Sequence, residues 1–316
     1  MRAMVTAEFG GPDSFEQREI DRPQPKAGEL LVRVAASGTN PVEAKIRSGD
    51  IPAVEAPAVL GYDASGAVEE VGAGAEAEFA VGDEVYFTPE IFGNQLGTYA
   101  EYNTVPAAIV AHKPAGLSHV EAAAVPLAGG TAYEAIVRRL AIRPGEVVLI
   151  HGGSGGVGTF AVQIAHTAGA FVIATAGPSN QKTLTDCGAD VAVDYQSQDF
   201  SEVVREQTGG AGVDAVFDPV GGQLLASQEV TRPFGRMATI LPIQGDFSHA
   251  YLNNQTLYGV FLTRERQRLV ELRRLIDQDK LHPVVDEVLP LDQVSRAHER
   301  LDSGHGRGKV VLEIGE

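Results

Sequence analysis

Residues 147–158 read Val-Val-Leu-Ile-His-Gly-Gly-Ser-Gly-Gly-Val-Gly, an apolar run that ends in glycines spaced Gly153-x-Gly155-x-x-Gly158. Glycines at that spacing permit a tight turn and let the backbone approach a pyrophosphate, whose charge is met by free N–H groups at the start of a following helix. A strand before the loop and a helix after it, expected over 159–168, are the context this chemistry needs. Gly153, Ser154, Gly155, Gly156, Val157 and Gly158 therefore form a candidate dinucleotide cradle. The competing reading is a loop made glycine-rich only to pack helix against strand.

A second signal lies about 20 residues on, where a site for NAD usually places Asp or Glu to bind the ribose 2′-hydroxyl. Residues 175–182 here read Thr-Ala-Gly-Pro-Ser-Asn-Gln-Lys. Without a carboxylate to repel a 2′-phosphate, and with donors at Thr175, Asn180 and Lys182, the sequence favours NADP(H) over NAD(H). No arginine supports the phosphate in this loop.

The elements that must position these residues change character along the chain. As far as about residue 117, short strand-like runs such as 29–35, 64–71 and 83–87 alternate with Gly and Pro, which predicts a compact β-rich domain. From about 120 to 262, apolar runs alternate with amphipathic stretches, the grammar of βαβ units and a parallel sheet. Six candidate strands, 147–151, 171–175, 191–194, 215–218, 236–241 and 257–262, would complete a Rossmann sheet. A charged helix over 264–279, a strand, a helix near 294–301 and a strand over 309–314 do not continue the repeat. They are expected to return to the first domain. The predicted organisation is α/β: a Rossmann domain over 121–263 inserted into a β-rich domain made of 1–120 and 264–316.

Composition narrows the partners. Acidic residues outnumber basic ones 42 to 25, a balance that disfavours nucleic acid and anionic lipid. The same excess would suit a high-salt habitat as well as an ordinary soluble surface. The single cysteine, Cys187, cannot make an internal disulfide or a thiolate set for structural zinc. Residues 1–9 lack the regions of a signal peptide, and no apolar stretch approaches the roughly 20 residues of a membrane span. A cytoplasmic protein is expected.

Three further segments join the glycine loop: residues 37–49 (Ser-Gly-Thr-Asn-Pro-Val-Glu-Ala-Lys-Ile-Arg-Ser-Gly), 61–66 (Gly-Tyr-Asp-Ala-Ser-Gly) and 126–133 (Pro-Leu-Ala-Gly-Gly-Thr-Ala-Tyr). With 217–222 (Phe-Asp-Pro-Val-Gly-Gly) and the ending 308–312 (Gly-Lys-Val-Val-Leu), they make the chain resemble the medium-chain dehydrogenase/reductase superfamily along nearly its whole length. The nearest likeness is to the zinc-free quinone oxidoreductase and enone reductase branch. The resemblance implies a GroES-like catalytic domain built from both termini around the Rossmann insert.

Zinc-containing relatives hold their catalytic metal at positions that correspond here to Asn40, Tyr62 and Leu127, none of which is a thiolate or imidazole. The eight histidines show no metal-binding spacing. Without a Lewis acid, oxidising an unactivated alcohol is hard, whereas hydride addition to an enone or quinone needs only a hydrogen-bond donor at the carbonyl oxygen. The resemblance makes Lys45 a candidate donor beside the nicotinamide ribose, against a plain surface lysine. Asn40 would present an amide to the ribose or to a substrate oxygen, against a turn residue before Pro41. Asp63 would either hold Lys45 charged or cap a turn, and Tyr62 would line the substrate pocket or pack.

The same resemblance places Thr131 toward the nicotinamide, against a helix cap. Tyr195 would flank the adenine, with Gly177 letting the backbone approach the 2′-phosphate. Ile240, Leu241, Pro242, Phe261, Leu262 and Thr263 would lie near the nicotinamide ring. The expected partner is a small hydrophobic carbonyl or quinone substrate. The alternative is a non-catalytic NADPH-binding protein of the same fold. The run 257–262 carries no lysine or proline to guard an edge, and with the resemblance it predicts a homodimer paired through the last Rossmann strand, burying Val260.

Overall fold

A computed structural model describes residues 1–315. The chain divides into two compact units, one made of Met1–Ala128, Thr263–Asp279 and the residues from Pro283 onward, the other of Gly129–Leu262 and Lys280–His282. The first boundary differs from the expected 120/121. The helix His119–Ala123 stays with the first unit because Ala123 and Ala124 pack with Ala36 and Val311. Residues 280–282 rejoin the second, where the Gln163 amide donates to His282 O at 3.0 Å and accepts from His282 N at 2.8 Å.

The first unit opens with eight strands: β1 (Arg2–Thr6), β2 (Phe15–Glu19), β3 (Glu29–Gly38), β4 (Ala58–Val59), β5 (Ala64–Val71), β6 (Glu84–Phe87), β7 (Tyr102–Pro106) and β8 (Ala111–His112). Alternation decides the faces. Leu30, Val32 and Val34 of β3 point into one core with Ala64, Val68, Val85 and Phe87, as a period of two requires. Burying each large aliphatic side chain contributes about 1.5–3 kcal/mol.

The second unit carries β9 (Val147–Ile150), β10 (Phe171–Ala176), β11 (Val191–Asp194), β12 (Val213–Asp218), β13 (Thr231–Thr239) and β14 (Thr256–Gly259). They form one sheet in the order β11-β10-β9-β12-β13-β14, every neighbouring pair parallel. This is the Rossmann arrangement. Central strands covered on both faces read as continuous apolar runs, and Val148, Leu149 and Ile150 are fully buried. The chain then closes the first unit with β15 (Val285–Pro290) and β16 (Lys309–Glu313). There β16 pairs parallel with β15 and antiparallel with β3, Val311 facing Gly38.

The last Rossmann strand is shorter than its apolar sequence suggested. It stops at Gly259, and Val260, expected at an open edge, is 6 % exposed with its N–H bonded to Thr239 O at 2.8 Å. An apolar side chain one place beyond the strand end is thus used inside the chain itself. The charged helix runs over Arg266–Asp277 and buries Leu269, Leu272 and Ile276 at helical spacing. Among the described residues, no helix is long and apolar enough to cross a membrane.

Candidate functional site

In the second unit, the parallel strands put all their C-terminal ends on one edge, and strand order reverses between β9 and β12, the crevice where such sheets hold ligands. The glycine loop leaves β9 there and enters the helix Gly156–Thr167, with Gly155 as N-cap. That helix begins before the expected residue 159, so the cradle includes its first turn. The loop is pinned from β10: Gly153 N donates to Thr175 O at 2.8 Å, and Gly152 N to Thr175 Oγ1 at 3.2 Å. Thr175 is buried and positions the loop.

The three spaced glycines have different reasons. A Cβ on Gly158 would lie 2.1 Å from Gly152 O, and one on Gly153 would lie 2.8 Å from Leu184 Cδ2. These two are needed for packing alone. A Cβ on Gly155 would meet nothing nearer than Gly152 O at 3.4 Å, and Gly155 has an ordinary φ of −75°. The chain itself gives Gly155 little reason to lack a side chain, whereas close approach of a phosphate does. The cradle fits a dinucleotide on this observation.

Next to β10, Gly177 caps the turn Pro178–Asn180, and the Tyr195 hydroxyl sits 3.5 Å from where a Gly177 Cβ would be. The structure thus brings together the two residues expected at the adenosine end. Lys182 is exposed and its ammonium reaches both Asp186 oxygens, at 2.7 and 2.8 Å, a surface pair of small worth. Ile240, Leu241 and Pro242 follow β13 directly, and Phe261 and Leu262 follow β14. Asp218 ends β12 and accepts from Val220, Gly221 and Gln223 N–H groups at 3.1, 2.7 and 2.9 Å, shaping the adjoining loop. Thr131 is buried inside the helix Pro126–Tyr133, not at its N-terminus, which removes the capping reading.

The first unit holds a buried polar cluster centred on Asp63. Lys309 Nζ donates to Asp63 Oδ2 at 3.1 Å, to Thr39 O at 2.7 Å and to Asn40 Oδ1. The Asn40 amide nitrogen donates to Asp63 Oδ2 at 3.0 Å and to Glu43 Oε1 at 3.2 Å. Asp63 Oδ1 accepts from Leu127 N at 2.7 Å and Thr88 Oγ1 at 3.3 Å. Glu43 turns back on the start of the helix Pro41–Arg47 to accept from Asn40 N, and it also takes Tyr62 N at 2.8 Å and the Tyr99 hydroxyl at 3.0 Å.

Two carboxylates share one buried ammonium, so the cluster is short of positive charge. Burial pushes the Glu43 carboxyl up to about 7, the Lys309 charge opposing and Asp63 adding to the rise. Burial also pushes Asp63 up, against Lys309 and its hydrogen bonds. Burial, with Arg47 adding, pulls His298 down to about 3. A neutral His298 lends its Nε2–H to the Tyr99 oxygen at 3.2 Å while Tyr99 donates onward to Glu43.

Several expectations change here. Lys45 is exposed on its helix, so Asp63 neither holds it nor caps a turn; the partner is Lys309. Asn40 is 2 % exposed and all its amide groups are committed, so it presents no donor to a substrate. Tyr62 is fully buried. Glu43, Thr88, Tyr99, His298 and Lys309 complete the cluster, although none was a candidate from sequence. Two of these had a signal: Asn40-Pro-Val-Glu43 has the spacing of a capping box, and Lys309 is a charge that opens the buried apolar run Val310, Val311, Leu312.

Asn40, Tyr62 and Leu127 are drawn together by the Asp63 and Glu43 carboxylates, and they offer an amide, a phenol and an isobutyl group. Among the described residues, no three His, Cys, Asp or Glu side chains form a metal-holding group.

A GroES-like unit and a Rossmann unit in one chain define a dehydrogenase of the two-domain, nicotinamide-dependent type. Residues 26–115 match the alcohol dehydrogenase GroES-like domain and 187–312 match the family described as zinc-binding dehydrogenase. The chain is 32 % identical over 325 residues to a human quinone oxidoreductase, covering 99 % of this chain and 97 % of that protein. It is 32 % identical over 323 residues to the chloroplastic NADPH-dependent alkenal/one oxidoreductase of Arabidopsis thaliana, covering 99 % and 79 %. The crystal structure of an NAD-dependent alcohol dehydrogenase superposes with a TM-score of 0.94 at 36 % identity, covering all of both chains. The chain belongs to the medium-chain dehydrogenase/reductase superfamily, in its quinone oxidoreductase branch, and is an oxidoreductase that uses a nicotinamide cofactor.

Proposed function

We propose that this protein is an NADPH-dependent, metal-independent reductase of quinones or α,β-unsaturated carbonyl compounds, working in the cytoplasm as a homodimer. The observation that carries the reading is the donor set at the three metal-ligand positions of the zinc-containing relatives. Asn40 has every amide group engaged by Asp63, Glu43 and Lys309, and Leu127, whose N–H donates to Asp63, has only a hydrocarbon side chain to offer a metal. A soft or imidazole ligand set is missing. Hydride transfer that needs no Lewis acid suits a conjugated acceptor better than a simple alcohol.

When bound, the nicotinamide supplies the hydride. The protein's share is placement. Gly153, Ser154, Gly155, Gly156, Val157 and Gly158 would hold the pyrophosphate, and Thr175 would fix that loop. Gly177, Asn180, Lys182 and Tyr195 would take the phosphorylated ribose and adenine. Lys182 can leave its exposed partner Asp186 for a 2′-phosphate at small cost. Thr131, residues 240–242, Phe261 and Leu262 would surround the nicotinamide. The free edge of β14 would pair with the same strand of a second copy, through Thr256–Gly259, since Val260 is already buried.

The test follows NADPH and NADH oxidation with 1,4-benzoquinone, linear enones and alkenals, before and after chelation. Turnover that survives chelation and prefers NADPH is expected. NADPH binding without consumption by any acceptor would leave a non-catalytic binding protein, and tighter NADH binding would overturn the cofactor choice.

A further inference from the structure

Within the cluster around Asp63 and Glu43, polar groups are matched with unusual completeness. Both oxygens of each carboxylate accept hydrogen bonds, the Lys309 ammonium donates three, and Asn40, Thr88 and Tyr99 are all engaged. Two buried atoms are exceptions, His298 Nδ1 at the far end and the Tyr62 hydroxyl. The backbone of Tyr62 is tied to Glu43 through its N–H at 2.8 Å, and the residue is 0 % exposed. A buried hydroxyl without a partner is destabilising, and phenylalanine would fill the same space without that penalty.

We propose that the Tyr62 hydroxyl is a catalytic hydrogen-bond donor, held for the carbonyl oxygen of the acceptor. This rests on the reductase reading and deepens it by naming the group that meets the oxygen's developing charge. Donors fixed in advance and shielded from water are worth most to such an oxygen. Burial, and next the nearby Glu43 charge, push the phenol's ionisation upward, so Tyr62 keeps its proton and donates a hydrogen bond without transferring it. Glu43, braced by Tyr99 and His298, is a positioning residue for the Tyr62 backbone. Because the ring is 0 % exposed, this role requires that the side chains covering it move aside for the acceptor.

The test is Tyr62→Phe, studied as the cofactor-loaded protein. Its unfolding midpoint is expected within about 2 °C of wild type or higher, since no bond within the protein is lost. The kcat/KM for the best acceptor should fall about 10²–10³-fold, chiefly in kcat. Cyclohexanone, which carries the oxygen but no conjugated bond, should bind the NADP⁺-loaded variant about tenfold more weakly. A folded variant with unchanged kcat/KM would overturn the proposal. A variant that fails to fold would do so as well, because the hydroxyl would then be holding the structure. Cyclohexanone separates the two ideas: a wild type that never consumes NADPH yet loses ketone affinity on substitution fails the reductase reading and keeps the donor.

Discussion

The glycine loop of the Rossmann unit and the buried cluster of the GroES-like unit solve placement in opposite ways. The loop uses backbone, from residues adjacent in sequence, and its side chains matter mainly where they are missing. The cluster uses the charged side chains of Glu43, Asp63 and Lys309 with the amide of Asn40, and its backbone matters mainly as further donors. Breaking the loop should therefore impair binding or packing one position at a time. Breaking the cluster should leave an uncompensated charge inside the protein.

The largest effect is expected from Lys309→Met, which strands two buried carboxylates. Removing one partner of a buried ion pair costs about 3–5 kcal/mol, and denaturant unfolding should show it. Adding Asp63→Asn to that variant should recover part of the loss. No recovery would mean that Lys309 stabilises through Thr39 O and Asn40 instead.

A pH effect of similar origin belongs to Glu43. Its carboxyl titrates near 7 in the folded chain against a usual value of 4.5, so the folded state holds a proton that the unfolded state has released. Its contribution is then most favourable below about pH 4.5 and is lost as pH rises to about 7, by up to about 3 kcal/mol. Glu43→Gln should remove that slope. The stability of wild type relative to the variant should decline between pH 5 and 7, and a constant difference would place the proton elsewhere.

The smallest effects come from the loop, as a contrast between two glycines. Gly158→Ala drives a methyl into Gly152 O and should cost about 1–3 kcal/mol of stability. Gly155→Ala has room and an ordinary φ, so stability should change by less than about 1 kcal/mol. NADPH affinity should nevertheless drop about tenfold, read by fluorescence titration. Equal loss of stability in both would return the loop to a purely structural role.

This contrast also explains what the sequence made legible. The Rossmann sheet was readable because each strand is a short apolar run and the loop motif is contiguous. The expected strand over 191–194 has the bounds found for β11. The end of β14 was not readable, since Val260 to Leu262 are as apolar as a strand and only the pairing itself, whose last partners are Thr239 and Gly259, shows where it stops. In the other unit, Asp63 was visible as a candidate but its partner was not. Periodicity says nothing about which charge, hundreds of residues away, meets it. Lys45 was nearer in sequence, and helix geometry turned it outward.

The hydrogen bonds from Lys309 span most of the chain: 270 residues to Thr39 and 246 to Asp63. During synthesis, the six strands of the cofactor unit are complete while β16 has yet to be made. Asp63 and Asn40 must wait in water for their cation, and the last strand to leave the ribosome is the one that seals them. Maturation of the protein is thus ordered in time, with the nucleotide cradle able to form first and the cluster closing only at the final step.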